Sequence, residues 1–391
     1  MLQAVILAAG ESSRFWPLNQ QHKALIKIMG HPLIRWTVDG LRKSGIRDII
    51  VVQARNKEIE KALKDKKIKY IAQPEPRGMG DALWRAKGLI GGPFVVLNAE
   101  RVDISEILHS AKLKTQRPRI KAVLVGQKTE NPHLFGIMKI RGDRALGIVE
   151  KPRKNYSSNI RTVGVYFLEP GFFKCYAKVK KHKYDFEDAL SLYMRGNEVR
   201  VHLLEKKEEE LISLKYPWHL FSIVKYLFNK NLGKNEVRSG RNVKIFKGAV
   251  VKGPCYIGNN CLIGTNSIIR DYSDLEEGVA VGALAEIARS IFQKDVHVHS
   301  GFYGDSIFGE GCRVGAGTVT ANRRLDRSKI TVRLKKEKIE TGLSYLGAIV
   351  GNNVHIGVNV SLMPGTLIKS DALIWPGSVI SKETKILTKK P

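Results

Sequence analysis

Aliphatic residues recur at every sixth position through much of the second half of the chain, and this period restricts the fold more than any other feature. From Ile245 the series runs Val251, Ile257, Ile263, Ile269, Leu275, Val281 and Ile287. It resumes as Phe302, Phe308 and Val314, then as Val350, Ile356, Leu362, Ile368, Ile374, Ile380 and Ile386. A six-residue turn cannot bury its own apolar side chain, whereas stacked turns set these side chains in one internal column. Three such turns close a coil, so the spacing predicts a left-handed parallel β-helix over residues 245–386. A β-sandwich would instead alternate with period two and space its turns irregularly. Gly258, Gly264, Gly282, Gly309, Gly315, Gly351, Gly357 and Gly377 accompany the column. Glycine suits tight corners that leave no room for a β-carbon or require positive φ. Residues 323–345, with Arg323, Arg324, Leu325, Asp326 and Arg327, are polar and out of register, so they are expected to protrude as a loop. The flat faces of such a prism commonly pack on one another, which makes a trimer the expected assembly.

The first half has a different rhythm. A short apolar strand from Gln3 to Leu7 leads into Ala8-Ala9-Gly10-Glu11-Ser12-Ser13-Arg14, a loop of small residues whose amides can hold phosphate oxygens. Helical patterns follow around residues 33–44, 57–65 and 81–88, alternating with strands at 49–52 and 94–97. Strand–helix alternation predicts a mostly parallel Rossmann-like α/β sheet, with ligands at the C-terminal ends of its strands. Gly10, Gln73, Gly78 and Asn98 fall at or between those ends. The expected organisation is a nucleotide-binding domain over residues 1–229, a linker over 230–241 and the β-helix over 242–391.

Bulk properties narrow the class only partly. With 391 residues, 43% of them apolar, the chain can bury a large core. No run approaches the roughly 20 apolar residues of a membrane helix, and the N-terminus lacks a signal-type pattern, so a cytoplasmic protein without membrane partners is expected. Cys175, Cys255, Cys261 and Cys312 show no paired spacing and read as reduced thiols. The net charge of +29 favours anionic partners and selects none of them. No DNA- or RNA-binding motif accompanies the charge, so nucleic acid is not the expected partner, although charge alone does not exclude it.

A set of ordered motifs resembles the sugar-1-phosphate nucleotidylyltransferases. It comprises L-A-A-G-x-x-x-R ending at Arg14, then Lys23, Q-x-x-x-x-G-x-x-D-A-L from Gln73, V-L-N-A-E from Val96, F-G-I from Phe135, V-E-K-P from Val149, S-S-N from Ser157 and V-G-V-Y from Val163. With the β-helix behind it, the chain is similar to archaeal two-domain enzymes that couple nucleotidylyl transfer with amino-sugar-1-phosphate acetylation. The resemblance implies a nucleoside triphosphate, a sugar-1-phosphate and acetyl-CoA as substrates, and magnesium as cofactor. It implies Gly10 and Arg14 for the triphosphate, Lys23 for the transferring phosphoryl group, Gln73 and Gly78 for the base, and Glu150 with Lys151 for the sugar phosphate. Asn98 and Glu100 stand in the family's Asn-Gly-Asp element, with Glu100 as the expected metal ligand. In the β-helix, His299 matches the acetylation base and Asn322 a polar contact in the following element.

The sequence also departs from the family pattern. Ser12 replaces a second glycine, and Ala24 a proline. Glu100 replaces aspartate, Ser213 the distal metal-binding aspartate, and Thr162 an asparagine that touches the sugar. Met79 and Gly80 follow Gly78 where other small residues are usual. Near His299, Phe302 stands for a tyrosine, Arg313 for an asparagine, and Ser344-Tyr345 for a basic residue. Two readings follow. One is an active transferase; the other is a regulatory homologue, similar to the nucleotidylyltransferase-like subunits of the translation-initiation exchange factor or the regulatory partner of GDP-mannose pyrophosphorylase.

Overall fold

The computed structural model describes residues 2–115, 119–152, 158–205, 214–334 and 337–381. Ser157, Ser213 and Ile386 lie outside them. The chain forms two compact units: Met1–Glu11 with Leu33–Ser213, and Ser12–Pro32 with Leu214–Pro391.

The first unit is built on a nine-stranded sheet. Its strands are β1 (Gln3–Ala8), β2 (Ile49–Ala54), β3 (Ile68–Gln73), β4 (Phe94–Asn98), β5 (Ala122–Lys128), β6 (Gly136–Arg141), β7 (Arg144–Glu150), β8 (Ile160–Leu168) and β9 (Val199–Leu203). Their spatial order is β3-β2-β1-β4-β8-β5-β9-β7-β6. The β3-β2-β1-β4 side is parallel, and β8 enters antiparallel between β4 and β5. Runs such as Ala-Val-Ile-Leu and Ile-Ile-Val-Val are buried throughout, as befits strands covered on both faces. Helices α1 (Leu33–Lys43), α2 (Glu58–Leu63) and α3 (Met79–Ala86) connect the parallel strands, as the alternation predicts. In α1, Leu33, Ile34, Thr37, Val38 and Leu41 are buried at helical spacing. Helices α4 (Ile104–Thr115), α5 (Phe172–Tyr176) and α6 (Asp185–Gly196) complete the unit, and Phe172, Phe173, Tyr176, Phe186 and Tyr193 from the last two enter its core.

The second unit is the left-handed parallel β-helix, three seven-stranded sheets wound from successive short strands. Ile245 stacks on Ile263, Ile257 on Leu275, and Ile269 on Ile287, each eighteen residues apart, the length of three hexads. The period then breaks. Ile287 stacks on Tyr303 and Phe292 on Phe308, each after only sixteen residues. Tyr303 therefore fills the column where the six-residue count places Phe302, and Phe302 points to the outer side. Ile245, at the open first coil, is half exposed and not part of the buried column.

Of the two expected reasons for glycine, the lack of room for a β-carbon holds and positive φ largely does not. Of the glycines beside the column only Gly377 has positive φ. At Gly264 a β-carbon would stand 2.6 Å from the backbone of Ala283 in the next coil, so stacking distance, not φ, requires glycine there. The left-handed corners are taken largely by Asn260, Asn266, Asp295, Asn353, Asn359 and Asp371, residues that tolerate this region. Between the strands Thr318–Thr320 and Ala348–Val350 of the coils lies an antiparallel pair, Thr331–Leu334 with Glu337–Glu340. The cysteines are free, three of them buried. Among the described residues no helix is long and apolar enough to cross a membrane.

Candidate active sites

In the first unit, Gly10, Gln73 and Asn98 follow or end the parallel strands β1, β3 and β4, the edge where such sheets bind ligands. Gln73 is buried; its Nε2 donates to the Gly78 carbonyl at 3.2 Å and to Asp81 Oδ2 at 2.7 Å. Gly78 has φ 112°, and a β-carbon on it would press on the Lys183 carbonyl at 3.3 Å. Its left-handed backbone turns the chain into α3, which makes a substitution there strained.

A second group of residues gathers on β8, whose register shifts between Thr162 and Tyr166. Such bulges re-aim side chains. Within this one Gly164 has φ 74°, and a β-carbon on it would lie 2.8 Å from Asn98 Nδ2. Across the sheet Glu150 pairs with Gly136, and its Oε2 occupies the space beside that glycine, with Thr162 Oγ1 close by. Thr162 bonds the Tyr166 hydroxyl, which burial pushes above its ordinary pKa. Lys151 is exposed and adopts φ 46°, with its N–H donating to the Phe135 carbonyl. Glu187, on α6, is the residue sequence reasoning misses: burial first, and then Glu150, Asp185 and Asp188, raise its pKa to about 7.

Glu100 is buried, 5% exposed. Among the described residues no group of three or more His, Cys, Asp or Glu side chains is arranged to hold a metal.

In the second unit, residues 12–32 carry Arg14 and Lys23. Ser12 adopts φ 53°, the region a glycine would enter freely, and its Oγ accepts the Lys23 N–H at 3.1 Å. Lys23 Nζ donates to the Leu214 carbonyl at 2.7 Å. Arg14 is exposed and lies near enough to Tyr216 to oppose the rise that burial imposes on that hydroxyl. Tyr216 in turn stacks on Trp218 at 4.5 Å. Arg14 and Lys23 therefore share the neighbourhood of residues 214–216. The Ala24 N–H donates to His22 Nδ1 at 3.2 Å, a bond that proline at this position could not make.

On the β-helix, His299 is exposed and its carbonyl accepts the Tyr303 hydroxyl at 3.3 Å. Asn322 Nδ2 donates to Asp305 Oδ2 at 2.6 Å. Arg289 clamps the same carboxylate through Nε and a terminal nitrogen at 2.7 and 2.8 Å. Asn322 is thus held by a buried carboxylate that is itself fixed by a bidentate guanidinium. Arg289 lies in an irregular coil, outside any motif that would single it out. His297 pairs with Asp295, which also binds Arg313.

Residues 3–219 match the Nucleotidyl transferase family. The chain belongs to that family. Residues 240–271 and 347–382 match the bacterial transferase hexapeptide repeats. A bifunctional sugar-1-phosphate nucleotidylyltransferase/acetyltransferase of Sulfurisphaera tokodaii is 31% identical over 98% of this chain and 98% of its own. The proteins named bifunctional protein GlmU from Methanococcus vannielii and Methanocaldococcus jannaschii are 29% and 28% identical, each over 98% of this chain and 95% of theirs. This likeness runs from end to end of a nucleotidyl transferase chain and favours the transferase reading over the regulatory one.

Proposed function

We propose that the protein is a bifunctional transferase that makes a nucleoside diphosphate-sugar from a nucleoside triphosphate and a sugar-1-phosphate, and acetylates an amino-sugar-1-phosphate from acetyl-CoA. The observation that carries this reading is the end-to-end likeness to bifunctional enzymes over 98% of the chain. The domains are assigned as residues 1–229 for nucleotidylyl transfer, 230–241 as linker and 242–391 for acetylation.

In the first reaction a phosphate oxygen of the sugar-1-phosphate attacks the α-phosphorus in line. The bond from that phosphorus to the bridging oxygen breaks, and pyrophosphate leaves with the electron pair. Positive charge fixed beforehand lowers this barrier more than flexible solvent can. Arg14 and the Gly10 backbone serve the triphosphate, Lys23 the phosphoryl group under attack, Gln73 and Gly78 the base, and Lys151 with Glu150 the sugar phosphate. Magnesium, when bound, neutralises phosphate charge. Glu100, beside Asn98, would supply a carboxylate to an ion that takes one or two of them and completes its shell with phosphates and water.

In the second reaction the sugar amine attacks the thioester carbonyl, His299 takes the amine proton, and the thiolate of coenzyme A leaves. Asn322, oriented by Asp305 and Arg289, contacts the sugar. Three copies of the β-helix associate through its faces. The exposed apolar residues Val250, Ile268, Val319 and Val379 stand in one outward row of a single sheet, with Glu286, Phe302 and Ser361 between them, and support this assembly. The cell compartment is the cytoplasm, where nucleoside triphosphates and acetyl-CoA are available.

The test is two assays on one preparation. Pyrophosphate release is followed with a panel of triphosphates and sugar-1-phosphates, and free thiol with acetyl-CoA and amino-sugar-1-phosphates. Both signals are expected, and His299→Ala should remove only the second. No pyrophosphate above blank across the panel overturns the first activity, and unchanged thiol release in the variant removes His299 as the base.

A further inference from the structure

Residues 12–32 interrupt the first unit in sequence and belong to the second. They attach to the β-helix through a set of polar contacts. The Gln293 side chain takes both backbone groups of Lys27: the Lys27 N–H donates to Oε1 at 3.2 Å, and Nε2 donates to the Lys27 carbonyl at 2.9 Å. Two residues on, the Met29 N–H donates to Asp274 Oδ1 at 3.1 Å, and the Gly30 N–H to Glu276 Oε1 at 2.9 Å. Met29 and Gly30 form the turn of a short hairpin, Lys27–Ile28 paired with His31–Pro32, and both have positive φ. The Tyr256 hydroxyl closes over this turn, 2.6 Å from where a β-carbon on Gly30 would stand. Nearer the start of the segment, Gln20 bonds Asn352 at 2.8 Å and Asp371 at 3.3 Å.

The chemistry of this attachment is unusual for simple adhesion. Asp274, Glu276 and Gln293 are almost wholly buried. Burying two carboxyl groups side by side is costly, and an apolar contact of the same size would hold a hairpin as well or better. Backbone-directed acceptors fix register, which greasy contacts do not. The register they fix is that of a segment only a few residues from Lys23.

We infer that Asp274, Glu276 and Gln293 are positioning residues for nucleotidylyl transfer, holding from the β-helix the segment that carries Arg14 and Lys23. This rests on the reading of Arg14 and Lys23 as phosphate-binding groups. The latch also responds to pH. Burial first raises the Glu276 pKa to about 7, and burial followed by the charge of Glu276 raises Asp274. The groups facing the pair are Lys27 and the Met29 and Gly30 amides on the hairpin, and Tyr256, Glu277 and the thiols of Cys255 and Cys261 on the coils. Glu276 has a raised folded-state pKa, so its contribution is complete below the ordinary glutamate range and is lost as pH rises through about 7.

The test compares Glu276→Ala, Glu276→Gln and the milder Gln293→Ala with the wild-type protein. Readouts are pyrophosphate release, acetyl transfer and amide hydrogen exchange of the peptide spanning residues 12–32. Glu276→Ala and Gln293→Ala should lower kcat for pyrophosphate release by on the order of 10²-fold, the scale of a misplacement near 1 Å, and leave acetyl transfer intact. The 12–32 peptide should exchange faster in both. Glu276→Gln keeps the acceptor for Gly30 and cannot ionise, so it should restore the rate and remove its decline as pH rises through about 7. Wild-type kcat in both weakened variants, or equal loss of the two activities together, would overturn the inference. An inactive wild-type protein would overturn the assignment of Arg14 and Lys23 instead, and unchanged exchange in the variants would refute the latch whatever the activity.

Discussion

Ser12 shows how a residue that departs from the family pattern is accommodated. It adopts a backbone region that disfavours side chains, and its hydroxyl gains a bond to the Lys23 N–H, which ties the loop after β1 to the residue assigned to phosphate transfer. Lys23→Ala should therefore lower kcat for pyrophosphate release by about 10²- to 10³-fold, the scale for removing one preorganised donor, with only a small fall in thermal midpoint from the lost bond to Leu214. A fall smaller than tenfold in steady-state kinetics would dismiss the role. Gly80 is constrained by space. A β-carbon there would meet Asp185 Oδ1 and the Tyr176 ring at 2.3 Å, so Gly80→Ala should cost about 1–3 kcal/mol in urea unfolding. Glu187 gives a pH prediction. Its carboxyl, raised to about 7 mainly by burial, stabilises the fold fully below the ordinary glutamate range and less as pH rises through about 7. Glu187→Gln should flatten that part of the dependence of thermal midpoint on pH. The motif glycines and Lys23 stand out in the sequence because they fall in short family motifs, although the groups they meet, Lys183 for Gly78 and Leu214 for Lys23, lie far along the chain. Glu187 does not, because its environment is assembled from β7, β8 and α6, which are distant in sequence.

At the scale of elements, the six-residue period reveals the β-helix because each turn repeats the same burial problem. It does not reveal where a corner has lost a residue. From Ile287 to Phe308 the coils shorten, and Tyr303, which carries a hydroxyl, enters the column in place of Phe302. Phe292, Tyr303 and Phe308 then pack with ring centroids 4.8 to 6.0 Å apart. Phe308→Ala should cost about 3–5 kcal/mol, as for other buried aromatics, while Phe302→Ala should cost much less. Equal losses in calorimetry would mean that the register is wrong. The same coils present Asp274, Glu276 and Gln293 to residues 12–32, a long-range contact that no local pattern encodes.

At the scale of the molecule, the basic excess of +29 and the exposed apolar residues in the outward row of the β-helix are both surface properties. Ile268→Glu places a second charge beside Glu286 in that row and should shift the sedimenting species from the proposed trimer toward monomer. An unchanged sedimentation coefficient would exclude this face from the assembly. The most direct measurement of the whole assignment uses a sugar-1-phosphate labelled with ¹⁸O in its phosphate, incubated with the protein, magnesium and a triphosphate panel, and followed by mass spectrometry. Labelled nucleoside diphosphate-sugar with unlabelled pyrophosphate is the expected result. Absence of any nucleotide sugar across the panel, or label appearing in pyrophosphate, would contradict it.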